Sequence, residues 1–553
     1  MVKIKHNMRK IMIQIFTYMF ASILALNING CVTPEGFDVY YEASESEDEP
    51  QEEVEVPFRE KTDTYYIDSE NGNDANDGKS EAKAWKSLSK IAGTKLLAGD
   101  KVLLKRGCTF NEFFLVEEAE GSKKQQVVIS TYGSGDKPKI VAPGNSQHGV
   151  QLRNCTYITV EELDIKNHGT DAELRDRTGI NIHLEDFGTA YNIELKGLDV
   201  HDVNGRLWKG DGAGVAIRFT INNNTVTNWF DGVLIDGCTV KRCVRNAITF
   251  GGNYHRGSWY PHKNVVIREN LIEEVPGDGI LVGQCDGALV EYNVMRNCTD
   301  PWGGEHNAAA GMWPWSSDNT VIQFNEVSGH KATWDGQGFD ADYNCIGTII
   351  RYNYSHDNYG GFLLICDDGS ARKTYSAGNK DTKIYGNVSY NDGIRPYKRP
   401  KDDKWYSPGI HISGPVEDCE VYNNIIYLCE RAADLPKQDK RFIHANGWAG
   451  DPLGVDIRNN LFYSKVRESN FETNSISTVK FTGNWYLGIS PAAMGSSRDT
   501  NLKTENKSFE TIMSKDTDAR KALENGFLRV VKTKTATMIT VDKDKLDKFF
   551  NNN

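Results

Sequence analysis

The chain has 553 residues and 11 cysteines but no Cys-x-x-Cys pair, so its cysteine spacing offers no zinc site. The cysteines from Cys238 to Cys429 fall in or beside short apolar runs and read as small buried core residues rather than a disulfide framework. Positive charge is not in excess: 64 Lys and Arg stand against 76 Asp and Glu, a net charge of −12, which argues against a nucleic-acid partner. The loop from Asn71 to Gly78 is rich in Asp, Asn and Gly. It lacks EF-hand spacing and the acidic twelfth position, and it reads as a plain turn. Aromatic residues make up 10%, too many for a disordered chain, and with 51 Gly and 16 Pro the composition is that of turn-rich β structure.

The longest apolar run, Ile11 to Leu26, is short for a membrane span of ~20 residues. It follows Lys3, Lys5, Arg9 and Lys10 and ends in Ile28-Asn29-Gly30-Cys31, the pattern of a bacterial lipoprotein signal peptide with Cys31 as the lipidated residue. Residues 1–31 are therefore expected to be a signal peptide, and 32–62, carrying the acidic run Glu42 to Glu55, a solvated tether. The chain is expected to be exported and membrane-anchored, at the cell surface or in the periplasm, and monomeric.

A repeat runs from about residue 145 to 485. Short strands close on Asn in Glu291-Tyr292-Asn293-Val294-Met295, Gln323-Phe324-Asn325-Glu326-Val327, Arg351-Tyr352-Asn353-Tyr354-Ser355 and Tyr385-Gly386-Asn387-Val388-Ser389. Gly-led runs such as Gly338-Phe339-Asp340-Ala341-Asp342 and Gly409-Ile410-His411-Ile412 alternate with them. A repeat of roughly 20 to 40 residues is a solenoid, and β-type runs with Asn corners predict an all-β, right-handed parallel β-helix. The Asn amide can bond its equivalent one coil away, and Asn tolerates the left-handed corner. Residues 63–144 are expected to supply an N-terminal cap and the first coils, 145–485 the β-helix, and 486–553 a C-terminal cap or arm.

Alternate strand residues face opposite sides. Aligned on the opening Gly, Ile180, Val215, Ile248, Ile280, Met312, Phe339, Phe362 and Ile410 form one core column. The outward pairs are then Ala216/Arg218, Trp313/Trp315, Asp340/Asp342, Leu363/Ile365 and His411/Ser413. Two indoles one coil from two carboxylates suit a sugar site. Long insertions at 299–310, 328–337, 367–381 and 391–408 would wall a cleft and bring Glu305, His306, His330, Asp335, Arg395, Tyr397, Lys398 and Arg399 to it. The basic last insertion suggests an anionic ligand.

The segments "YYIDSENGNDANDG", "GDKVLLKRGCTF", "STYGSGDKPKI", "DGQGFDADYN" and "RYNYSHDNYGGFLL" resemble the secreted right-handed β-helix enzymes of the pectate-lyase-like superfamily, over most of residues 63–485. The resemblance implies an enzyme acting on a polysaccharide, by lyase or hydrolase chemistry. β-Elimination on a uronate polymer would use His306, His330 or His356 as base and Tyr343 or Tyr359 as acid, with Asp335, Asp340 and Asp342 holding a calcium ion. Hydrolysis would instead use Asp340 and Asp342, or one of them with Asp335 or Glu305, as paired carboxyls. Trp313, Trp315, Arg218, Glu305, Tyr343, Arg395, Lys398, Arg399 and His411 are the expected substrate contacts. The basic insertion favours elimination. A glycan-binding surface lipoprotein is the third reading.

Overall fold

The computed structural model describes residues 56–206, 212–298, 309–369, 375–393, 395–400, 403–428, 441–464, 470–473, 476–489 and 499–553. Cys31, the tether up to residue 55, Glu305, His306 and Cys429 lie outside the described residues.

The chain is a right-handed parallel β-helix. Among the described residues, three long parallel sheets of 15, 12 and 13 strands run its length, and successive coils add strands to all three. The core is apolar: Ile180, Ile217, Ile248, Ile280, Met312, Phe339, Leu363 and Ile410 stack with no exposure. At the N-terminal end Thr64–Ile67 joins the 15-stranded sheet beside Lys101–Lys105. In this N-terminal cap a single helical turn, Ser89–Ala92, follows Trp85.

Two register expectations are corrected. Ile217, not Val215, aligns with Ile180 and Ile248, and Leu363, not Phe362, aligns with Phe339 and Ile410. In the first case the shift is two residues, which leaves Arg218 on the outward face. In the second the shift is one residue, and one carbonyl receives two successive amides: Gly409 O accepts from Phe362 and Leu363. Such a bulge inserts one residue and turns every later side chain over. Gly361, at φ +103°, makes the bulge possible; a Cβ there would also lie 2.0 Å from Pro408 O. Leu363 and Ile365 are therefore core, and Leu364 and Cys366 face outward.

The Asn ladder is continuous and buried. Asn293 Oδ1 accepts from the backbone N and Nδ2 of Asn270, Asn325 Oδ1 does the same for Asn293, and the pattern passes through Asn353, Asn387, Asn424, Asn460 and Asn484. Asp499 ends it by accepting from Asn484. The left-handed corner is not on these Asn residues, as expected, but one residue earlier, at Tyr292, Phe324, Tyr352, Asn423 and Asn459. The turn at that position points its own side chain outward and aims the following amide into the stack.

The C-terminal residues pack on the 13-stranded sheet. Phe509, Leu523, Phe527, Leu546 and Phe549 bury against Tyr354, Val388, Ile425, Tyr427 and Leu461. The helices Lys507–Met513, Ala519–Phe527 and Lys543–Asn551 are capped by Asn506, Asp518 and Asp542. Arg520 pairs with Asp357 beside His356. Burial pushes the His356 imidazole down, but the Asp357 and Glu326 carboxylates, 2.8 and 3.3 Å away, outweigh it and hold it above its ordinary value. A raised histidine stabilises fully below its unfolded value near 6.5 and loses that contribution as pH rises through the folded value. Amides of 519–527 should therefore exchange faster at pH 8.5 than at pH 6, after correction for intrinsic rates. His356→Gln should remove the pH dependence; an unchanged profile in that variant would refute this account.

Candidate active site

The outer face of the 12-stranded sheet carries the cleft. Its outward side chains stack coil upon coil, at a spacing of about 4.8 Å. Register places Leu281 beside Trp313, Asp340 beside Leu364, Leu364 beside His411, and His411 beside His444. Met312 aligns with Phe339, which sets Trp313 and Trp315 one coil from Asp340 and Asp342. The cleft has a volume of about 1290 Å³, and Arg218, Trp313, Trp315, Asp335, Asp340, Asp342, Tyr343, Arg399 and His411 all line it.

Asp340 and Asp342 are 6% and 8% exposed. One oxygen of each and Cys366 Sγ lie within 4.8 Å of one another. Asp342 Oδ1 accepts from Tyr343 N at 2.8 Å and from Cys366 Sγ at 3.0 Å. Burial, then Asp342 and Asp340, push the Cys366 thiol well above its ordinary value, so it stays protonated and donates. Two donors on one oxygen stabilise the carboxylate anion. A calcium ion needs six to eight oxygen ligands, and two carboxylates beside a protonated thiol are a poor donor set for it.

Asp335 approaches from the loop wall and is half-buried. Arg395 builds that wall. It is 2% exposed, and its guanidinium donates to Ser407 Oγ and to the carbonyls of Ala332, Thr333, Trp334 and Asp335. The expectation that Arg395 meets substrate is corrected: its donors are spent on the fold. Arg395→Ala should detach the Asp335 loop, lower kcat by more than tenfold, and open residues 332–335 to limited proteolysis. Wild-type activity and protease resistance would contradict this.

Three further expectations fail on geometry. His330 is fully buried, its ring nitrogens 2.9 and 3.3 Å from Gly277 O and Gln337 O, and burial lowers its pKa. His356 lies on the 13-stranded sheet under the C-terminal arm. Lys398 sits in an ion pair with Asp403, 2.7 Å away, and does not line the cleft. Tyr343 reaches the cleft with its phenol held far above the ordinary value by burial and by Asp342. Its ring meets Trp315 and Trp448 edge-on.

The expected basic wall is absent among the described residues. Arg218, Arg245, Arg399, Lys404 and Arg441 line the cleft together with Asp278, Asp335, Asp340, Asp342 and Glu472, five cations against five carboxyls. Arg218 pairs with Asp176 at 2.7 Å, Arg441 with Glu472 at 2.6 Å, and Arg399 stacks over Tyr406 at 4.3 Å. His411 is pushed down to about 3 by burial and by His444, so it is neutral. Its ring lies 5.4 Å from that of His444. His444 and Glu472 escaped sequence reasoning because the alignment stopped at Ile410. The segment Phe442-Ile443-His444-Ala445-Asn446 continues the pattern of Ile410-His411-Ile412-Ser413 one coil on and could have revealed His444.

No family model matches the sequence. The chain is 30% identical over 467 residues to a lacto-N-biosidase of Bifidobacterium longum subsp. longum, a match spanning 68% of this chain and 28% of that protein. The crystal structure of the GH136 lacto-N-biosidase from Eubacterium ramulus superimposes with a TM-score of 0.58 and 27% identity, over 73% of this chain and 68% of that one. These similarities overturn the expectation of β-elimination on a uronate polymer, since both are to glycoside hydrolases. A parallel β-helix enzyme that degrades carbohydrate fits both, and this chain resembles the hydrolases named lacto-N-biosidase.

Proposed function

We propose that this chain is a glycoside hydrolase that releases a disaccharide of the lacto-N-biose type from an oligosaccharide. The observation that carries this reading is the close Asp340–Asp342 pair, beside Trp313 and Trp315 in a charge-balanced cleft, in a chain similar to lacto-N-biosidases. Asp342, with two donors on one oxygen, acts as the charged carboxylate at the anomeric carbon. Its acid partner is one of its two neighbours, Asp340 on the same strand or Asp335 on the wall. The acid gives its proton to the glycosidic oxygen as the C–O bond breaks and Asp342 bonds to the sugar. It then takes a proton from the water that releases the sugar from Asp342. A separation within 4.8 Å leaves no room for a water between Asp340 and Asp342, which favours retention of anomeric configuration. The basic n-region and Cys31 support an exported, lipid-anchored enzyme.

The test is product analysis on oligosaccharides ending in lacto-N-biose. New reducing ends, free disaccharide and no absorbance near 235 nm are expected. Disaccharide that is bound but never released would leave a glycan-binding protein instead.

A further inference from the structure

The cleft is not equally closed along its length. On the coils before the catalytic carboxyls its floor is shut: Trp313 is 4% exposed, and its Nε1 donates to the fully buried Asp278. On the coils after them, exposure rises among the described residues that line it. Trp448 is 47% exposed, and Lys404 and Glu472 are exposed as well. An enzyme that frees a disaccharide has to enclose the sugars it removes and leave the rest of the chain a way out. The closed end suits the disaccharide, and the open end suits the departing chain.

Trp448 presents a ring at that open end. It follows the strand Arg441–Asn446, three coils beyond Gln337–Ala341. Its indole nevertheless reaches back to Tyr343, the residue after Asp342, with ring centroids 6.3 Å apart and planes at 79°. Tyr343 meets Trp315 in the same edge-on manner at 6.4 Å. The rings of Trp315, Tyr343 and Trp448 thus line the cleft from the coil before Asp342 to its open end. The backbone is shaped around this pose. Ala449, directly after Trp448, takes φ +60°, a left-handed conformation that an L-residue seldom adopts. A Cβ on Gly414 would lie 2.9 Å from Trp448 O, and one on Gly369 2.8 Å from Ala449 Cβ, so the neighbouring turns are glycine where this segment passes. An indole half in water on a strained backbone does not serve the core. Its flat apolar face matches the apolar face of a pyranose.

We propose that Trp448 is a stacking platform for the first sugar beyond the scissile bond, a neutral pyranose of the departing chain. Arg441 and Glu472 pair at 2.6 Å on the same part of the cleft, which suits a ring without charge. The proposal rests on the hydrolase reading and gives the bound chain a direction, with the released disaccharide beside Trp313 and the remainder beside Trp448.

The test compares two substrates on the full chain: lacto-N-biosyl fluoride, which ends at the scissile bond, and lacto-N-biose linked to lactose, which continues past it. Trp448→Ala should lower kcat/KM for the oligosaccharide roughly tenfold relative to the fluoride. Trp448→Phe, which keeps a ring, should lower it less. Should Trp448→Ala not fold, Trp448→Leu gives the same comparison. In a folded variant, equal changes for both substrates, or none for either, would overturn the platform while the hydrolase stands. If the unmutated chain cleaves neither substrate, calorimetry with the same oligosaccharide decides. Binding that Trp448→Ala weakens keeps the sugar platform and removes the hydrolase. Binding that it leaves unchanged, or no binding, removes both.

Discussion

Replacing Asp342 with alanine should lower kcat roughly 10³- to 10⁴-fold while leaving the fold intact. The side chain projects from the outer face, so no core packing is lost. Removing one of two carboxyls within 4.8 Å also relieves like-charge repulsion, so the melting temperature should stay level or rise. With a nitrophenyl substrate, azide should restore turnover in Asp342→Ala by taking the place of the lost carboxylate on the sugar. The acid partner separates from it by leaving group. Of Asp340→Asn and Asp335→Asn, the variant that loses activity on natural glycans but keeps it on nitrophenyl glycosides marks the proton donor, because nitrophenolate leaves without one. Wild-type rates in Asp342→Ala would remove the mechanism altogether.

The second large effect concerns stability. Asn353→Ala should destabilise the solenoid by about 2–4 kcal/mol. Asn353 is fully buried; its Oδ1 accepts from Asn325 N and Nδ2, and its Nδ2 donates to Ile322 O and Asn387 Oδ1. Alanine leaves the Asn325 amide and the Ile322 carbonyl without these partners in a fully buried stack. Asn353→Asp should be no milder despite its shape, since it sets a charged acceptor against the Asn387 oxygen. Asp499 is tolerated only because the ladder ends there and it needs only to accept. A thermal scan in which both variants melt with the wild type would show that the ladder adds nothing to stability.

Much of this architecture was legible in the chain. The Gly-led runs and Asn corners repeat because each coil must bury the same face against its neighbours, so periodicity alone implies a parallel solenoid. Trp313, Trp315, Asp340 and Asp342 were placed on one outward face because alternation within a single strand is strictly local. Alignment between coils was less secure. The bulge at Phe362 changes register without changing composition, which puts Leu363 and Ile365 in the core and brings Leu364 and Cys366 to the cleft.

Charge misled for a related reason. Counted along the sequence, Arg395, Lys398 and Arg399 make a basic insertion; in space, Arg395 is buried on carbonyls and Lys398 is paired with Asp403. The sequence by itself determined the coil, its apolar interior and the strand that carries Asp340 and Asp342, because these depend on residues near one another in the chain. Only the tertiary structure decided which loop groups reach the cleft. It alone set Cys366 against Asp342, because that contact joins residues 24 positions apart across coils whose register no local pattern records.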